Sequence, residues 1–336
     1  MKQIKSIFWD SQYARLRMVP RVVVQLLIVV IVFFPIRELN RLVRGPLIAW
    51  LHNLPLPEAL AWIGDETFRE ISLVFSSLAM FSELVVFVIS LVIGARFLDR
   101  RKFFDFTGKF GRAWWADLVA GILIGGGVQL GVVLVAWIAG WVKVGGLLQA
   151  GMDGTSFWVG FIAMLIFFIC GAINEEIQFR GYPIRTMSEG LAGWGPLLAI
   201  GIPVLLISIA FGFAHAGNPH ITPIIQISIM LGGVWMAVAY ILTGSLALSI
   251  GMHFAWNFVQ FFFGFPVSGL DFGVAAVSME QRVFNVWIGN EFGPESGLLS
   301  LFAMLAGFII LLVYIKKRYG SLRVHTEILR PTLIES

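Results

Sequence analysis

The chain has 336 residues, 58% of them apolar and only 13% Asp, Glu, Lys or Arg, against roughly 45–50% and about 25% in soluble domains. With a mean hydropathy of +0.86, this composition excludes a soluble globular domain and a disordered chain, and the lone cysteine, Cys170, excludes a disulfide scaffold. The net charge is only +4 and the Lys and Arg sit in short runs between apolar segments, so they read as determinants of membrane orientation rather than a nucleic-acid surface.

A spanning helix needs roughly 20 mostly apolar residues, because about 30 Å of hydrocarbon is crossed at about 1.5 Å per residue. Eight segments meet that requirement, near 19–36, 71–95, 115–142, 157–179, 197–216, 223–242, 245–265 and 298–315. The fold class predicted is therefore all-α, a polytopic membrane helix bundle of about eight transmembrane helices around an intramembrane cavity. The first segment lacks a small-residue cleavage pattern and is expected to stay as an anchor. The stretch 37–70, with Pro46, Pro55 and Pro57, reads as an amphipathic surface segment. Glycines 121, 125, 126, 127 and 131 in the third segment indicate close helix packing rather than a nucleotide loop. Glu83 in the second segment is a lone carboxylate that needs a partner or water, and Cys170 reads as inert packing. The loop 266–297, with Asp271, Glu280, Glu291 and Glu295, is expected to cap the outer face, and the tail after Tyr314 is basic. Eighteen of the 24 Lys and Arg fall on the side of the N-terminus, which predicts both termini in the cytoplasm. The domain reading is an N-terminal membrane region over 1–156, a core over 157–265, and an outer loop, last helix and tail over 266–336, with no internal repeat and no soluble second domain.

Acids and histidines at membrane depth are costly, about 2.5–3.5 kcal/mol for an Asp on the gentlest scale, so each is a functional candidate. Three groups lie between residues 174 and 257. In Asn174-Glu-Glu-Ile-Gln-Phe-Arg-Gly-Tyr-Pro, Glu176 and Arg180 are four apart on a helix and can pair along one face. Glu175 is turned away from that arginine and suits a general base. The second group is Phe211-Gly-Phe-Ala-His215, followed by Asn218-Pro219. In the third, His253-Phe-Ala-Trp-Asn257, imidazole and amide lie one turn apart and can donate to one point, as an oxyanion site requires. Straight helices place Glu175 about 27 Å from Phe157, near the inner boundary, and His253 about 12 Å from Ser245. His215 reaches them only if its helix enters near Pro203, about 18 Å away.

These three motifs, in this order, with Thr243-Gly-Ser245 ahead of the third, resemble those of the CAAX-protease and bacteriocin-processing (Abi) family, which includes the CAAX prenyl endopeptidase. The likeness covers roughly 157–265. It implies an intramembrane endopeptidase of the glutamate type, without cofactor or metal. In it, Glu175 and His215 would activate the attacking water, His253 and Asn257 would stabilise the oxyanion, and Glu176 and Arg180 would support them. The implied partners are a membrane-associated or lipidated peptide and the lipid bilayer, with no nucleic acid, in a bacterial cytoplasmic membrane. Two other readings compete: a zinc-dependent membrane protease built on Glu175, His215 and His253, and a non-enzymatic immunity or scaffold protein or proton-coupled carrier.

Overall fold

A computed structural model describes residues 8–64, 73–150 and 156–330. Ten helices carry the architecture: α1 (Met18–His52), α2 (Leu56–Gly64), α3 (Leu73–Ile93), α4 (Arg112–Ile138), α5 (Phe157–Glu176), α6 (Tyr182–Gly190), α7 (Pro196–Ala214), α8 (Pro223–Thr243), α9 (Ala247–Phe262) and α10 (Leu298–Tyr319). Long apolar runs leave the backbone no partner but itself in lipid, and helices result. Among the described residues, seven spans are long and apolar enough to cross a membrane. The seventh segment of the sequence reading, 245–265, is not among them: it forms α9, which has only 16 residues, about 24 Å of helix. It is buried along most of its length rather than facing lipid.

Two expectations need correction. The stretch 37–70 is not a surface segment from its start: α1 continues through Pro35 and Pro46 to His52, α2 follows, and residues 65–70 lie outside the described part. The fourth span does not end near residue 179. A wide π-helical turn, Ile177–Gly181, joins α5 to α6, and the rod runs from Phe157 to Gly190. Glu175 therefore lies mid-rod, about 27 Å from one end and about 22 Å from the other. The Tyr240 hydroxyl, 3.2 Å from both the Gly181 and Phe106 carbonyls, can donate to either beside this turn. α7 starts at Pro196 and passes through Pro203 unbroken, so His215, its C-cap, needs no later entry to reach the depth of Glu175.

Small residues bring α4 against α9. A Cβ on Gly121 would lie 2.3 Å from the Leu248 carbonyl oxygen, one on Gly125 2.2 Å from that of Met252, and one on Gly251 2.2 Å from that of Leu118. Gly127 and Gly131 face open space, so only part of the glycine run makes the contact. The close crossing holds α9, and with it His253, in the middle of the bundle.

The two-residue strands β1 (Trp9–Asp10) and β2 (Arg15–Leu16) pair with each other near the start of the chain. The two ends of the bundle differ. At one, strand β3 (Val142–Gln149) pairs antiparallel with β4 (Ala275–Gln281), Val142 opposite Gln281, with an irregularity between Val144 and Gly146. Lys143 and Glu280 form a 2.5 Å ion pair across this ribbon. At the other, Arg15, Arg21 and Arg101 all reach Glu189 at the end of α6, and Arg21 also binds Asp99. Arg185 donates to the Glu327 carbonyl at 3.0 Å and the His325 N–H to that of Ile241 at 2.9 Å, so both described ends of the chain lie here.

Candidate active site

The sequence reading singled out Glu175, His215, His253 and Asn257, and these residues line one cavity of about 340 Å3. Glu175 ends α5 just before the wide turn, His215 caps α7, and His253 and Asn257 stand one turn apart on α9. Glu175 Oε2 lies 3.6 Å from His253 Nε2.

Glu176 and Arg180 form the floor of the site. Glu176 is 0% exposed, and its Oε1 accepts from Arg180 at 3.0 Å and faces His253 Nδ1 at 2.9 Å. A buried carboxylate requires such partners, and one that also binds a histidine nitrogen fixes which ring edge faces outward. His253 thus turns Nε2 towards Glu175. His215 is oriented differently: its Nδ1 lies 2.8 Å from the Phe211 carbonyl, which can only accept. Nδ1 therefore carries the hydrogen and Nε2 of the neutral ring is left as an acceptor.

Phe211 is the common neighbour that the spacing Phe211-x-x-x-His215 did not reveal. The Arg180 guanidinium carbon lies 4.2 Å from its ring centroid, and the His215 and His253 rings lie 4.8 and 6.2 Å away. The cation and both imidazoles gather around one phenyl ring. An apolar ring in this position lowers the local dielectric and strengthens each charge interaction around it.

Sequence reasoning missed part of the lining. Met80 and Glu83 enter from α3, Asn174 from α5, Asn218 from the α7–α8 loop, and Ser268 and Glu295 from the loop after α9. Asn218 Nδ2 donates to the Ser268 carbonyl at 2.9 Å, and the Ser268 N–H and hydroxyl both donate to Glu295 Oε1. This chain of bonds latches residues 266–270 over the cavity, so part of the expected outer cap instead enters the site. Burial pushes the Glu295 carboxyl above the ordinary carboxylate range, and the bonds from Ser268 offset this only in part. The acids of this loop were visible in the sequence, but which one turns inward depends on the fold.

Among the described residues, no three His, Cys, Asp or Glu side chains are grouped so as to hold a metal ion. Of the donor set expected for zinc, His253 uses Nδ1 on Glu176 and His215 uses Nδ1 on a carbonyl, so only the Nε2 atoms face the cavity side.

Residues 156–259 match the family described as type II CAAX prenyl endopeptidase Rce1-like. The family resemblance holds. It covers α5 to α9 and all three motifs. No curated protein and no solved structure matches the chain. The Rce1-like segment supplies the motif residues, whereas the α3 wall and the Ser268–Glu295 latch lie outside it.

Proposed function

We propose that this protein is an intramembrane endopeptidase of the glutamate type, acting on a membrane-associated or lipidated peptide. The observation that carries the reading is the convergence of Glu175, His215, His253 and Asn257, from three helices, on one cavity within an Rce1-like segment. Water lies between Glu175 and the acceptor Nε2 of His215 and attacks the scissile carbonyl as Glu175 takes its proton. His253, donating through Nδ1 to Glu176 and through Nε2 into the cavity, acts as an imidazolium and stabilises the oxyanion together with the Asn257 amide. As the C–N bond breaks, the proton on Glu175 passes to the leaving nitrogen. The reaction needs no acyl-enzyme, since among the described residues no serine or cysteine is paired with either histidine. The protein is integral to the membrane; a bacterial cytoplasmic membrane with both termini inside is part of the proposal.

The test is proteolysis of membrane peptides by the purified full-length protein in nanodiscs. Glu175→Gln and His215→Ala are each expected to abolish cleavage while the proteins fold and elute as wild type. Normal cleavage by both would refute the assignment.

A further inference from the structure

Glu83 is a carboxylate with no hydrogen bond and no cation within reach among the described residues, yet it stands on a membrane-depth helix and lines the same cavity as Glu175. Three residues before it, on the same face of α3, Met80 packs against α5. Its sulfur lies 3.7 Å from where a Cβ on Gly171 would be, and 4.0 Å from Asn174 Nδ2. Asn174 is only 4% exposed and also lines the cavity, and its Oδ1 has no partner. A buried amide oxygen left without a donor marks a place where a donor is missing. Among the lining residues there are three glutamates, Glu83, Glu175 and Glu295, and no Lys or Arg. The motif guanidinium, Arg180, is bound to Glu176 and lies over the Phe211 ring.

We infer that Glu83 and Asn174 form a subsite for a cationic side chain, lysine or arginine, of the peptide substrate. An ammonium or guanidinium brings both things this wall lacks: a counter-charge for the Glu83 carboxylate and N–H donors for Asn174 Oδ1. The methylene stem of either side chain lies along Met80 and the aromatic wall of Phe167, Phe168 and Phe272 while its head reaches the carboxylate. A free C-terminal carboxylate, by contrast, meets like charge at Glu83 on this wall and is disfavoured. The subsite rests on the peptidase reading for its occupant, but its two defining features, an unpaired acid and an orphan acceptor, do not depend on which group is the base.

The experiment uses full-length protein in zwitterionic nanodiscs, with His215→Ala as the background so that all cavity carboxylates remain. Binding is measured for blocked hydrophobic hexapeptides that differ at one position, Lys, Arg, norleucine or Glu, with empty nanodiscs subtracted. Lys and Arg peptides are expected to bind about tenfold tighter than norleucine, and Glu weakest. Glu83→Gln, which keeps shape and loses charge, is expected to bring the Lys-to-norleucine ratio to about one, and Asn174→Ala to reduce it. Equal affinities across the series, or a ratio unchanged in Glu83→Gln, would overturn the subsite. The same peptides given to wild type separate the two claims. Charge-selective binding without cleavage by wild type defeats the peptidase reading alone, and cleavage indifferent to charge defeats the subsite alone.

Discussion

At the scale of single residues, the structure separates groups that face the cavity from groups that hold them. Asn257→Ala is expected to lower turnover by about 10²–10³-fold with little change in stability, because it removes one donor to a developing charge. Arg180→Ala has the opposite signature. Glu176 is 0% exposed and shares Oε1 between Arg180 and His253, so losing the guanidinium leaves a buried charge without its cation and costs about 3–5 kcal/mol of stability. Thermal melting of the two variants in detergent checks the contrast; equal, mild effects on both would reduce the motif to a cap at a helix end. The motif residues were legible because a carboxylate pair, two histidines and an amide are expensive at membrane depth and stand out in apolar sequence. Glu83 was visible for the same reason but without a role, since nothing along the chain says that α3 faces α5. Asn174 was invisible as a site residue, because an orphaned oxygen is a property of packing and not of spacing.

At the scale of elements, the crossing of α4 and α9 and the latch over the cavity each carry a test. Gly125→Ala forces a methyl against the backbone of Met252, and it is expected to destabilise by about 1–3 kcal/mol and to displace His253. Gly127→Ala, two residues on and facing open space, is expected to change little. Melting temperatures of the pair decide whether close packing at that crossing sets the position of α9. The latch depends on pH in a direction unusual for an acid. Since the Glu295 carboxyl titrates above its ordinary range, the folded loop favours the protonated form. Its stability is fullest below the ordinary carboxylate value and is lost as pH rises through the raised one. Hydrogen exchange at the Ser268 amide is expected to grow beyond its intrinsic base catalysis over that window, and to lose this excess in Glu295→Gln. Helix existence was readable from apolar length alone. The β3–β4 ribbon was not, because its strands are about 130 residues apart in sequence and pair only after the chain has passed through five helices, α5 to α9. The extent of α5–α6 was hidden for a related reason: the polar run through Arg185 and Glu189 reads as a loop until its buried partners are known.

At the scale of the whole molecule, both described ends of the chain gather where Glu189 meets its arginines, and the ribbon closes the far end. Cys170 is buried, so single cysteines can be introduced for labelling against a quiet background. Labels at positions 17 and 323 are expected to react from the cytoplasmic side and one at 282 from the opposite side; reversed or mixed accessibility would reverse the orientation proposed from the basic residues. The rod from Phe157 to Gly190 carries a further consequence. Upstream of its wide turn it presents acids to a hollow in the bundle, and fourteen residues after Glu175 it presents another acid to a knot of arginines. Removing one residue between 177 and 181 would wheel everything beyond by about 100° and draw it in by about 1.5 Å. Glu189 would then swing out of its socket, or Glu175 out of the hollow. The count of residues between these two acids is therefore a gear setting, and natural variation in length belongs in the connecting loops and not along this axle.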